Sequence, residues 1–135
     1  MIKLHCFGES GNAYKAALTL TLAQERWQPV FVDFFKGGTR TPEFRALNVM
    51  GEVPVLEDGD LVLTQSGVIQ DYISSKSGKL GGKSAAERRD VLRWMFFDNH
   101  KVSGVAGPLR FNMNFLPEEK RNADVNGFMS MRLIS

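Results

Sequence analysis

The chain has 135 residues, 43% of them hydrophobic and 24% charged, with 17 basic side chains against 15 acidic ones. That is an ordinary globular balance, and a net charge of +2 gives no basis for a nucleic-acid or membrane-surface partner. Cys6 is the only cysteine, and His5 and His100 are the only histidines, so an internal disulfide is excluded and a metal site is not expected. The opening MIKLHCFGESG lacks the apolar core of a signal peptide, and no run of about 18 apolar residues follows. A reducing, cytoplasmic setting is the expectation.

In chain order, Ile2, Leu4 and Cys6 alternate with Lys3 and His5, the period of a half-buried strand. Gly8 to Asn12 is turn chemistry, and a helix is predicted from Ala13 to Gln24. Pro29 to Phe35 reads as a second strand, ended by Lys36-Gly37-Gly38. Thr41-Pro42-Glu43 is a helix start: a hydroxyl at the cap, proline at the first helical position, then an acid in the first turn. That short helix ends near Asn48. Val53 to Leu56 and Leu61 to Thr64 are strands joined through Asp58-Gly59, a hairpin signal. Ser66 to Lys76 reads as a helix with Val68, Ile69, Tyr72 and Ile73 on one face.

The first two strands and their crossover predict a parallel unit, and the last two an antiparallel hairpin. The polar, glycine-rich run from Ser74 to Lys83 is the linker region. Ser84-Ala85-Ala86-Glu87 has the form of a capping box and opens a helix to about Val102. Gly104 to Pro108 is expected to interrupt it. Pro117-Glu118-Glu119 is a candidate start for another helix, and the apolar NGFMSMRLIS end carries no stop signal.

Val53-Pro54, Asp58-Gly59 and Gln65-Ser66 lie at fixed spacing within GEVPVLEDGDLVLTQSGVIQDYI, residues 51 to 73. With SGNAYKAAL (10 to 18) and TPEF (41 to 44), this stretch resembles a cytosolic glutathione transferase. The resemblance implies an α/β thioredoxin-like domain over residues 1–77, of order βαβαββα with a mixed four-stranded sheet. A linker at 78–83 and a partial all-α domain at 84–135 follow. It also implies that the later helix of the family's helical domain is absent, so the chain reads as a truncated form.

The same resemblance assigns site residues. It implies a cis Val53–Pro54 bond, whose turned edge offers the N–H and C=O of Val53 to the cysteinyl unit of glutathione as an added strand. Ser66, at a helix mouth that suits carboxylates, is expected to hold the γ-glutamyl carboxylate, with Gln65 orienting it. The other reading of Ser66 is a plain N-cap. Lys36 is a candidate for the glycine carboxylate on loop position.

Glutathione chemistry needs a thiolate, which a donor near a helix N-terminus stabilises. Ser10 corresponds to the donor of the serine-type members and Asn12 to an asparagine of bacterial disulfide-reducing relatives; Tyr14 ranks third. Turn and cap chemistry is the competing reading for Ser10 and Asn12. Cys6 lies inside the first strand and reads as core. Trp94, Met95, Phe96 and Phe97 suit core and dimer packing, with Asp98 or Asn99 near a partner's glutathione. The resemblance thus implies a homodimeric, detoxification-type enzyme that joins glutathione, as co-substrate, to a small electrophile, or reduces disulfides with it. No metal is expected. The alternatives are a non-catalytic binding module and an inactive fragment of the enzyme.

Overall fold

The computed structural model describes residues 1–134 and divides into two compact units, Met1–Lys83 and Ser84 onward. In the first, the elements are β1 (Ile2–Cys6), α1 (Gly11–Ala23), β2 (Trp27–Phe31), α2 (Pro42–Leu47), β3 (Val55–Asp58), β4 (Leu61–Thr64) and α3 (Ser66–Ser77). The sheet runs in the order β2-β1-β3-β4, with β1 parallel to β2 and antiparallel to β3, and β3 antiparallel to β4. This is the mixed sheet of a thioredoxin-like domain.

The alternation read in β1 is real. Ile2 and Leu4 point into a core that also holds Ala16, Leu20 and Ala23 of α1, Leu56 of β3, and Ile69 and Ile73 of α3. These eight side chains are each at most 2% exposed, so α1 and α3 are held against one face of the sheet by apolar burial. A smaller cluster of Val32, Phe44 and Val55 secures α2.

Two strand boundaries differ from expectation. The second strand is Trp27–Phe31 rather than 29–35. It lies at the sheet edge, where Pro29 needs no ladder partner on its missing N–H. Beyond Val32 the Asp33 carboxylate accepts the Lys36 N–H at 3.3 Å and closes a 3-10 turn over Phe34–Lys36. The third strand starts at Val55, not Val53, because Pro54 has no N–H to give the ladder.

The second unit contains α4 (Ala85–Phe97), α5 (Gly104–Asn114) and α6 (Ala123–Ile134). The capping box is present: Ser84 Oγ accepts the Glu87 N–H at 3.1 Å, and the Glu87 carboxylate accepts the Ser84 N–H at 3.1 Å. The expected interruption at Gly104 to Pro108 does not occur. A π-helical turn over Asp98–Ser103 leads straight into α5, and Pro108 is its fifth residue, where its missing N–H costs one bond to the Gly104 carbonyl. Pro117 to Glu119 opens only a 3-10 turn, and the next α-helix begins at Ala123.

Candidate functional site

Strand register brings the singled-out residues to one end of the first unit. His5 pairs with Val55, and Val55 pairs with Thr64. Continued by two residues, the same registers set Val53 opposite Phe7 on one side and Ser66 on the other. The end of β1, the edge before Pro54 and the mouth of α3 therefore meet.

At the end of β1 the chain turns into α1 with Ser10 as its N-cap. The Ser10 Oγ accepts the Ala13 N–H at 3.2 Å, and its carbonyl accepts the Tyr14 N–H at 2.9 Å. Capping uses a lone pair of the hydroxyl and leaves its proton free. Ser10 can thus cap the helix and donate to an anion outside it. The two roles read from the sequence as competitors are compatible.

The edge before Pro54 is held by a residue the sequence reading treated only as a helix end. Asn48 is 5% exposed; its Nδ2 donates to the Glu52 carbonyl at 2.8 Å and its Oδ1 accepts the Met50 N–H at 3.1 Å. An asparagine just past a helix end is the only signal for this role, and it fits many plain turns. Gly51, at φ 67°, lets the chain pass the Thr39 carbonyl, which a Cβ would meet at 2.9 Å. The Val53–Pro54 bond is cis, and the main-chain groups of Val53 have no hydrogen-bond partner among the described residues.

The mouth of α3 is built differently from the starts of α1, α2 and α4. Ser10, Thr41 and Ser84 each cap α1, α2 and α4 through a side-chain oxygen. At α3 the cap position is Gln65, which makes no such bond and holds the backbone at φ 69°, ψ 119°. Ser66 is therefore the first helical residue, not the N-cap. The first intrahelical bond is from Ile69 N–H to the Gln65 carbonyl, so the N–H groups of Ser66, Gly67 and Val68 face outward, together with the positive end of the helix dipole.

Ser66 is 7% exposed, and its hydroxyl donates to Asn12 Oδ1 at 3.5 Å. This contact joins the first turns of α1 and α3, and no sequence signal pointed to it. The Gln65 amide rests on the Met50 sulfur at 3.7 Å, a weak acceptor that a ligand oxygen would readily replace.

The remaining candidates stand apart from this cluster. Lys36 has its side chain 86% exposed and swings to Asp33 at 3.5 Å, making no hydrogen bond to Val53, Gln65 or Ser66. Tyr14 is 63% exposed. Cys6 packs against the main core, and burial pushes its thiol pKa up, opposite to what a reactive thiolate needs. Phe7 stacks on Phe34 at 4.7 Å, with Phe35 edge-on at 5.9 Å, so an aromatic surface lies beside the Ser10 turn. Among the described residues no group of three His, Cys, Asp or Glu converges as metal ligands. No helix among them is long and apolar enough to cross a membrane. An open depression of about 530 Å³ lies at the other end of the sheet, lined in part by Met1, Arg26, Asp58 and Lys76, and holds none of these groups.

The thioredoxin-like sheet with an uncapped helix mouth beside a cis-proline edge defines the class. Residues 2–75 match the family described as Glutathione S-transferase, N-terminal domain, and the chain belongs to the glutathione S-transferase family. It is 33% identical over 110 residues to Glutathione S-transferase F10 of Arabidopsis thaliana, an alignment covering 78% of this chain and 51% of that protein. It is 30% identical over 122 residues to the Disulfide-bond oxidoreductase YfcG of Escherichia coli, covering 85% and 55%. The theta class glutathione S-transferase from Xanthomonas axonopodis pv. citri, solved with glutathione bound, superposes at a TM-score of 0.89. It is 30% identical, with 98% of this chain and 64% of that one covered. The chain thus spans about half the length of the curated relatives it matches.

Proposed function

We propose that residues 1–77 form a glutathione-binding domain and that the chain serves a glutathione-dependent reaction on a small electrophile or a disulfide. Residues 78–83 are then the linker to a helical domain beginning at residue 84. The observation that carries the reading is the mouth of α3: three outward N–H groups and the Ser66 hydroxyl, with no side-chain cap, next to the unpaired main chain of Val53. A helix end whose first N–H groups have no protein partner offers a seat to an anion, and a carboxylate fits its charge.

Glutathione would lie extended along this edge. Its γ-glutamyl carboxylate would sit at Ser66 and Gln65, and its cysteinyl amide and carbonyl would pair with the C=O and N–H of Val53 beside Pro54. Its thiol would then lie toward the end of β1, where the free proton of Ser10 stabilises the thiolate. Lys36 lies on the 3-10 turn after β2 and would take the glycine carboxylate only by leaving Asp33. The Phe7, Phe34 and Phe35 surface supplies an apolar seat for an electrophile. Conjugation then needs no further group from this domain: the thiolate attacks, and the leaving group departs with its electron pair.

Disulfide reduction is the second reading, favoured by the similarity to the Escherichia coli disulfide-bond oxidoreductase. In that reaction the thiolate attacks one sulfur and expels the other as a thiolate, and a second glutathione then attacks the mixed disulfide to release the remaining thiol and glutathione disulfide. A cytoplasmic homodimer suits either reaction, and the exposed Trp94, Phe96 and Phe97 of α4 are candidates for subunit packing. The test is retention on immobilised glutathione with elution by free glutathione, followed by turnover with an aryl halide and with a small disulfide. Retention with turnover of either substrate supports an enzyme. Retention without turnover supports a binding module or an incomplete enzyme, and failure to be retained removes the glutathione reading.

A further inference from the structure

We propose that Asn12 is a positioning residue for the carboxylate end of glutathione, acting through Ser66, rather than a donor to the sulfur. The inference rests on the glutathione reading above and deepens it. Its starting point is the Ser66 hydroxyl, which donates to Asn12 Oδ1 at 3.5 Å across 54 residues of sequence.

The two side chains meet because α1 and α3 lie side by side with both N-termini at the same end of the sheet. Ala16 and Leu20 of α1 pack with Ile69 and Ile73 of α3 in one core, and further along Gln70 Nε2 donates to Thr19 Oγ1 at 3.2 Å. The separation of Asn12 from Ser66 is therefore set by rigid, buried contacts and not by a loop. Two helix mouths, each the positive end of a dipole, converge there.

A serine hydroxyl has a single proton. A Ser66 hydroxyl that donates to Asn12 Oδ1 has no second proton for a ligand. To bind a carboxylate, Ser66 must turn its proton outward, and the oxygen of this buried residue then lacks a donor. A carboxamide can supply one, since rotating the Asn12 end group by about 180° replaces Oδ1 with Nδ2–H. The Nδ2–H would donate to Ser66 Oγ and leave the serine proton only one direction, toward the carboxylate. At 3.5 Å the resting contact is long for a hydroxyl donor, whose bonds cluster near about 2.7 Å, so little is lost in the exchange. The same amide cannot also stay aimed at the sulfur, which leaves that task to Ser10.

The experiment compares the parent chain with Asn12→Ala, Asn12→Asp, Ser66→Ala and the Asn12→Ala/Ser66→Ala double variant. It reads KM for glutathione, kcat, and the pKa of the bound thiol from thiolate absorbance. Asn12 is exposed, and aspartate in a first helical turn is favourable, so neither substitution threatens the fold. The expected result is a KM about fivefold higher in Asn12→Ala, with kcat within about threefold and the thiol pKa unmoved, the size of one modest hydrogen bond. Asn12→Asp, which can only accept and adds a negative charge, should raise KM further than alanine does. In the Ser66→Ala background, Asn12→Ala should change KM by less than twofold, because its effect passes through that hydroxyl. A fall in kcat with a raised thiol pKa at constant KM would overturn the proposal and make Asn12 the sulfur donor. Full additivity in the double variant would also overturn it. If the parent chain itself fails to bind glutathione in a titration calorimeter, the functional reading fails first; if it binds and Asn12→Ala matches it, only this proposal fails.

Discussion

Ser10 Oγ accepts the Ala13 N–H at 3.2 Å, so a single hydroxyl closes the start of α1 and still has a proton to give. Ser10→Ala removes both contributions and should show two separable effects. Loss of the cap lowers stability by about 1 kcal/mol, measured by urea denaturation. Loss of the donor raises the pKa of bound glutathione and lowers kcat by about a hundredfold, the usual scale for one donor aimed at developing charge. Ser10→Asp should keep the cap and lose the activity, since an ionised carboxylate has no proton to offer and repels a thiolate. Retained activity in either variant would exclude Ser10 as the thiol's partner.

Gln65 stands at φ 69°, ψ 119°, a backbone conformation that non-glycine residues rarely adopt. Such strain typically costs about 1–3 kcal/mol and persists where surrounding structure enforces it. Gln65→Gly should therefore hold or raise the denaturation midpoint while weakening glutathione binding about tenfold, because the carboxamide that would reach the carboxylate is gone. Stability and KM moving in opposite directions would mark the strain as kept for binding. A variant that loses stability would show instead that the glutamine side chain supports the fold.

Much of this was legible in the sequence because local chemistry and global fold agree. The alternation of Ile2, Leu4 and Cys6, the Asp58-Gly59 turn, and the caps at Thr41 and Ser84 each act over a few residues. The boundaries that moved depend on longer-range facts. Pro29 is tolerated within β2 only because that strand lies at the sheet edge, and edge status is a property of the whole sheet. Helix α5 contains Pro108 and follows directly on a π-helical turn, and no sequence period announces such a turn. In the site, the Val-Pro and Gln-Ser pairs were visible as spacing. The Asn12–Ser66 contact and the Asn48 staple were not, since each depends on which side chains packing brings within reach.

Cys6 is a test of whether the domain itself works as a thiol oxidoreductase. Its side chain packs at the margin of the main core, and desolvation raises its pKa, only partly offset by a backbone hydrogen bond from the Val30 region. Alkylation of the native protein by iodoacetamide at pH 8 should therefore be slower than that of a free cysteine with its pKa of about 8.5, and should accelerate on unfolding. Cys6→Ala should retain disulfide reduction with glutathione to within about twofold. Loss of that activity in a variant that remains folded would return the cysteine to the mechanism.

Asp58, at the end of β3, ties the hairpin to α3. Tyr72 donates its hydroxyl to Asp58 Oδ2 at 2.7 Å, and Lys76 pairs with the same oxygen. Lys76 and Tyr72 hold the Asp58 carboxyl below its usual range, while Asp58 pushes the Lys76 ammonium and the Tyr72 phenol up. The carboxyl, being depressed, stabilises the fold above about pH 4 and loses that contribution as pH falls through its folded value. The raised phenol and ammonium stabilise it below about pH 10 and lose that contribution as pH rises through theirs. The denaturation midpoint of the parent chain should therefore fall at both extremes. Asp58→Asn should lower it most between about pH 5 and 9, with the gap to the parent closing in acid as the parent's own Asp58 protonates. A gap that stays constant from pH 3 to pH 7 would mean that the aspartate acts through packing or turn geometry instead of charge. The glutathione KM should stay unchanged in this variant, because the triad lies at the opposite end of the sheet from Ser66.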